Sequence, residues 1–155
     1  MAYRGIQMKR LFLIALLVLT SEPVHAGWVE VEKQYQYSDL QTVYFDPETI
    51  LREGDLVSMW ELTDFRNVQG DTGGPHGFGP RHRGFGSPGG QWLSAEAHLQ
   101  FDCADKRLRL LEFRKFSRQM GTGTQNDGYA DQDRWFPVKP GSIDHALWEV
   151  ACGRE

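Results

Sequence analysis

Trp92-Leu93-Ser94-Ala95-Glu96-Ala97-His98-Leu99-Gln100-Phe101-Asp102-Cys103 runs through the middle of the chain with a strict two-residue period. Leu93, Ala95, Ala97, Leu99, Phe101 and Cys103 are apolar, and Ser94, Glu96, His98, Gln100 and Asp102 between them are polar. Successive side chains of a strand point to opposite faces, so this pattern predicts a strand with one face buried and the other wet. A short polar turn, Ala104-Asp105-Lys106, follows. Arg107-Leu108-Arg109-Leu110-Leu111-Glu112-Phe113-Arg114-Lys115-Phe116 then reads as a second strand with looser alternation. The two segments form an antiparallel hairpin, the centre of the predicted fold.

Upstream, Trp28 to Tyr37 alternates Val29, Val31, Tyr35 and Tyr37 against polar residues and predicts a first strand, interrupted at Lys33. Ser38-Asp39 is a turn, and Leu40 to Phe45, rich in β-branched and aromatic residues, is a second strand. Asp46-Pro47 stops it, and Pro47 to Ile50 fits a single helical turn. After the turn signal Glu53-Gly54-Asp55, Leu56 to Phe65 is a third strand, with Trp60 and Leu62 as its core candidates. From Gly70 to Gly90 glycine and proline dominate and no apolar period survives. Such a stretch buries too little surface to offset its ordering entropy, which predicts a long mobile loop. After the hairpin, Met120 to Gly128 reads as glycine turns or a bulged strand, and Trp135 to Val138 as a short edge strand, because Pro137 has no N–H for a ladder. Ser142 is a good N-cap for a helix whose buried face is Ile143, Ala146, Leu147, Val150 and Ala151.

At 155 residues the chain is a single domain behind a targeting segment. Lys9 and Arg10 precede the apolar run Leu11 to Leu19, and Val24-His25-Ala26 ends in a small residue before Gly27, as a signal peptidase site requires. The run is well short of the roughly 20 residues that span a bilayer, so no transmembrane span is expected. Cleavage between Ala26 and Gly27 leaves residues 27–155 as the exported domain, periplasmic or secreted. The residue directly after the cleavage site is Gly27 rather than a cysteine, so the reading is not that of a lipoprotein. Met8, directly before Lys9, is an alternative start to Met1. The formal charge is −4, and loss of Arg4, Lys9, Arg10 and Glu22 makes it −6. An acidic domain is a poor general binder of nucleic acid, so no nucleic-acid partner is expected. Cys103 and Cys152 both lie in the exported part, and an oxidising compartment favours a disulfide between them over two buried thiols.

Reaction chemistry is hard to find. Gly121-Thr122-Gly123 lacks the third glycine of a dinucleotide loop, because position 126 is Asn, and no Lys-Ser or Lys-Thr makes a nucleotide P-loop. Ser87 sits in Phe85-Gly86-Ser87-Pro88-Gly89, which is not a hydrolase elbow. His98 and Asp102, four apart on a strand, are about 13 Å from each other, so they cannot bridge directly and a solvated face is the simpler reading. His145 and Glu149 are one turn apart on the helix and make a surface pair. His76 and Arg81-His82-Arg83 are the one basic cluster, inside the glycine-rich loop, where Arg81, His82 and Arg83 are candidate binding residues. No catalytic residue, metal ligand or cofactor is assigned.

Trp28, Val43-Tyr44-Phe45-Asp46-Pro47-Glu48-Thr49-Ile50, Val57-Ser58-Met59-Trp60-Glu61-Leu62, Ser94 to Cys103, Phe116-Ser117-Arg118-Gln119-Met120-Gly121, Trp135 to Ser142 and Cys152 occur in an order that resembles the surface-adhesin protein E family of bacterial envelope proteins. The resemblance covers nearly all of residues 27–155. It implies an α+β, mainly β fold: a curved antiparallel sheet of about six strands packed by one C-terminal helix. It also implies Cys103–Cys152 as the matching disulfide and, for the founding adhesin, adhesion to host extracellular-matrix proteins; the residues themselves fix no oligomeric state and allow a dimer. The chain departs from the family pattern in lacking a lipidated cysteine and in the length of its 70–90 insertion. A non-catalytic binding module for a host-matrix or envelope protein is therefore expected. A periplasmic small-ligand carrier or enzyme, or an envelope structural or stress protein, are the competing readings.

Overall fold

The computed structural model describes residues 27–32, 34, 39–69, 91–128 and 130–153. The strands are β1 (Val29–Glu30), β2 (Gln41–Phe45), β3 (Leu51–Glu53), β4 (Leu56–Gln69), β5 (Trp92–Asp102), β6 (Arg107–Phe116), β7 (Gln125–Gly128) and β8 (Phe136–Pro137), followed by helix α1 (Ile143–Cys152). All pairings in this eight-stranded sheet are antiparallel, in the order β1-β2-β4-β5-β6-β7, with β3 added to β4 and β8 to β6.

The hairpin β5–β6 is the centre of the sheet, as its sequence period predicts. Its register runs from Ser94 opposite Phe116 to Asp102 opposite Arg107, and it shifts between His98 and Leu99. Leu111 is the extra residue there, so Leu110 and Phe113 both reach the same buried face while Glu112 and Arg114 point the other way. That bulge is the physical reason for the looser alternation in the second strand.

β2 and β3 share one edge of β4. Phe45 pairs with Glu61 and Leu51 with Ser58, and the residues between them make the helical turn, a 3-10 turn at Pro47–Thr49. The Asp46 carboxylate accepts the Glu48 N–H at 3.0 Å, and the Thr49 hydroxyl accepts the Trp60 N–H at 3.0 Å. The interrupted ladder is thus satisfied by a side chain.

Helix α1 lies on one face. Ile143, Ala146, Leu147, Trp148 and Ala151 are its buried residues, in one cluster with Val57, Met59, Leu99, Phe101, Leu108, Leu110 and Phe113. Ser142 caps the helix by accepting the His145 N–H at 3.2 Å, and Gly153 ends it in the left-handed region at φ 66°. Cys103 and Cys152 are disulfide-bonded, with Cα atoms 5.7 Å apart, so the end of α1 is tied to the end of the central strand. His145 and Glu149 form the expected pair, Nδ1 to Oε1 at 3.8 Å. Beyond the helix the same face buries Glu61, Thr63 and Lys115, with the Thr63 hydroxyl 3.0 Å from the Glu61 carboxylate.

Several expectations are corrected. The helix buries Trp148 and exposes Val150, because the helix's contact stripe falls nearer Trp148. On β4 the helix side is Val57 and Met59; Trp60 is only half-buried on the opposite face, and Leu62 is buried there under a loop rather than by the helix. The polar face of β5 is not uniformly wet, since Ser94 and Asp102 are buried. Among the described residues the first strand is Val29–Glu30, and Val31 adds one more bond, to the Val43 carbonyl at 2.9 Å. Lys33 and Tyr35 to Ser38 lie outside the described residues, as does the 70–90 loop.

Candidate functional site

The face of the sheet away from α1 carries the site. Register sets side chains into rows across the strands. One row is Glu30, Tyr44, Leu62, Glu96, Arg114 and Asp127, and the next is Trp60, His98 and Glu112. Cross-strand neighbours on one face are close enough to interact, so each row is a contact series.

The Trp60 and His98 rings stack with centroids 4.8 Å apart and planes 8° from parallel. Arg114 reaches diagonally across β5 and places its guanidinium carbon 4.4 Å from the Trp60 ring centroid. The same guanidinium is 2.6 Å from a Glu112 oxygen and 3.7 Å from a Glu96 oxygen. Farther along this face, Arg107 and Arg109 each lie 4.7 Å from the Trp135 ring centroid. Arg109 is fixed by Gln100, whose side-chain oxygen accepts two of its N–H bonds at 2.8 and 2.6 Å, and Arg107 by Asp102 at 2.9 Å.

One end of the face is covered by the loop Ser117 to Thr124. Ser94, fully buried, donates its hydroxyl to the Arg118 carbonyl at 2.5 Å and accepts the Gly121 N–H at 3.0 Å. Asp64 accepts the Met120 N–H at 2.8 Å, and the Gln119 amide donates to the Phe65 carbonyl at 3.2 Å. Met120 and Gly121 are both left-handed, at φ 55° and 65°. This conformation suits glycine and is uncommon for methionine, and here it turns the loop back onto the sheet. The loop buries Leu62, and a Cβ on Gly121 would meet the Glu96 carboxylate at 2.6 Å.

The electrostatics follow from this packing. Burial pushes the Glu96 carboxyl above the usual range; Arg114 pulls it down and Glu112 pushes it further up. Burial likewise raises Asp64, against the pull of the Met120 N–H. His98 is lowered, chiefly by burial, with Glu112 opposing and Arg114 reinforcing. The Tyr44 hydroxyl is raised by burial first and then by Glu30 and Asp64. At the far end Asp102 is lowered, first by the Asp105 N–H and then, against burial, by Arg107.

A strip of Tyr44, Trp60 and His98 with charged residues around it has the anatomy of a recognition surface, an aromatic centre inside a polar rim. Among the described residues no three His, Cys, Asp or Glu side chains are grouped to hold a metal ion. Of the sequence-derived residues, Cys103 and Cys152 are brought together, whereas Arg81, His82 and Arg83 lie outside the described residues. Sequence reading placed Glu96 and His98 on a polar face but assigned Trp60 to the core and gave Tyr44 and Arg114 no role. The available signal was Trp60 itself, a large aromatic in phase with Ser58 and Asp64 on its strand.

Comparison with known proteins gives the family and the fold. The family model described as surface-adhesin protein E matches residues 28–153. Among solved structures, the selenomethionine form of Haemophilus influenzae protein E aligns with a TM-score of 0.56 at 14% identity, covering 85% of this chain and 90% of that one. Protein E from non-typeable Haemophilus influenzae aligns with a TM-score of 0.56 at 13% identity, over 84% of this chain and 78% of that one. At such identities the likeness shows a shared fold. No curated protein matches the chain.

Proposed function

Since the chain belongs to the surface-adhesin protein E family, we propose that it is an exported, non-catalytic adhesin that recognises a protein partner through the open face of its sheet. The observation that carries the site assignment is the Tyr44–Trp60–His98 strip, left uncovered by the helix and bordered by Glu96, Glu112 and Arg114. Aromatic and arginine side chains dominate binding energy at protein interfaces, and a sheet face holds them rigid at low entropic cost. The partner is a host extracellular-matrix protein or a component of the bacterial envelope. The chain reaches the periplasm or medium after cleavage between Ala26 and Gly27, with residues 27–155 acting as one domain.

The test immobilises the 27–155 protein and measures capture of purified matrix proteins and envelope components. Trp60→Ala, checked by circular dichroism for an intact fold, is expected to lose at least tenfold in affinity, the effect of a buried aromatic anchor of about 1.4 kcal/mol or more. An Arg81→Ser/Arg83→Ser double variant tests the loop instead. Binding lost in that variant and kept in Trp60→Ala would move the site from the sheet to the loop.

A further inference from the structure

The rows that carry the aromatic strip are unbalanced in charge. Beside the strip they hold three carboxylates, Glu30, Glu96 and Glu112, against one guanidinium, Arg114. That guanidinium is divided between Glu112 at 2.6 Å and Glu96 at 3.7 Å. Asp64 adds a further carboxylate beside Tyr44 and is held by a backbone N–H rather than by a cation. At the edge of the face, Arg118 on the covering loop packs its side chain toward Gly123.

We propose that the partner surface docking on this face is basic: a lysine- or arginine-bearing protein segment whose cations settle beside Tyr44 and Trp60 among Glu30, Asp64, Glu96 and Glu112. The inference rests on the adhesin reading above and gives its partner a chemistry. Three features support it. Trp60 already accepts a guanidinium at 4.4 Å, so its ring is oriented for cations. Glu96 and Asp64 are both half-buried with their charged forms disfavoured by burial, so an added cation supplies the stabilisation that lost water does not. The Tyr44 hydroxyl is raised first by burial and then by Glu30 and Asp64, which places negative potential at the Tyr44 end of the strip. An acidic patch around aromatic rings steers and orients a basic partner, and that contribution weakens with salt.

The experiment uses a ten-residue polylysine peptide and its polyglutamate counterpart, titrated into the 27–155 protein with tryptophan fluorescence as readout. Polylysine is expected to bind, polyglutamate not, and binding to fall about tenfold between 0.05 and 0.5 M NaCl, as expected for a few screened ion pairs. Glu96→Gln/Glu112→Gln is expected to weaken polylysine about tenfold, whereas Asp131→Asn/Asp133→Asn, with the same change in net charge, leaves it unchanged. Equal weakening by both pairs would mean net charge alone and overturn the proposal, as would binding of polyglutamate. Salt-resistant self-association lost in Trp60→Ala, seen by sedimentation, would give the face to a second copy and overturn it too. A captured protein partner that needs Trp60 but ignores salt and Glu96→Gln/Glu112→Gln leaves the docking face standing and removes the basic partner. Polylysine binding localised to the face, with every captured protein indifferent to Trp60→Ala, removes the adhesin site and keeps the charge preference.

Discussion

Gly121→Ala is expected to cost more than Gly54→Ala, and the difference measures how tightly the covering loop sits on the site. The two glycines have nearly the same backbone, φ +65° and +63°. A left-handed alanine costs about 1–2 kcal/mol in each, offset by about 0.4–1 kcal/mol because alanine also restricts the unfolded chain. Nothing lies within 4 Å of a Cβ at Gly54, so the net cost there is about 1 kcal/mol. At Gly121 the new Cβ would sit 2.6 Å from Glu96 Oε1. The carboxylate is the far end of a flexible side chain and swings aside, which adds about 0.5–1 kcal/mol for its lost ion pair with Arg114. The total is about 1.5–2 kcal/mol for Gly121→Ala. Urea denaturation of both variants gives the difference directly. A double-mutant cycle assigns it: in a Glu96→Ala background the excess at Gly121 is expected to vanish, because the obstructing oxygens are gone. Equal costs at the two glycines, or an excess that survives Glu96→Ala, would refute the packing of this loop against Glu96.

Leu147 is fully buried where α1 meets the sheet, so Leu147→Ala is expected to destabilise by about 2–5 kcal/mol in the same assay. Replacing both Cys103 and Cys152 by serine opens a loop whose ends are 49 residues apart; the chain-entropy estimate is about 4 kcal/mol and the expected loss about 2–4 kcal/mol, with native circular dichroism retained because the helix keeps its buried side chains. For pH, the sign follows from the direction of each shift. Glu96 is raised, so the folded state favours its protonated form, and stability present below the ordinary carboxylate range is lost as pH rises through the folded value. Glu96→Gln is therefore expected to stabilise the protein at neutral pH, with the gain fading in acid; a gain that persists below the carboxylate range would contradict it. His98 is lowered, so its contribution is present above the usual histidine range and is lost as pH falls through the folded value; His98→Phe is expected to flatten the stability profile between pH 7 and 5.

The fold was legible where one physical signal decided each element. The strict period of Leu93 to Cys103 gives β5, the apolar stripe after Ser142 gives α1, and two cysteines in an exported chain give the bond between them. The site was less legible because it depends on which face the helix takes, and period alone does not say. On β4 both faces carry apolar residues, Val57 and Met59 on one and Trp60 and Leu62 on the other, so choosing the larger pair for the core was reasonable and wrong for Trp60. The facing strand settles the matter: Met59 is paired with Leu99 and Trp60 with His98, and only the first pair can lie under a helix without burying an imidazole there. Arg114 was hidden for a different reason. The bulge at Leu111 reverses the phase of β6, and without it Arg114 would share a face with Leu110. The position of Arg114 beside Trp60 therefore depends on Leu111 standing outside the ladder. Paired regularly, Leu111 would turn Glu112 and Arg114 toward the helix side and dismantle the polar rim. Deleting Leu111 is expected instead to close the ladder in its present register, with Glu112 still opposite His98 and Arg114 still opposite Glu96. The irregularity that blurs the strand's period is thus what keeps these side chains on the open face.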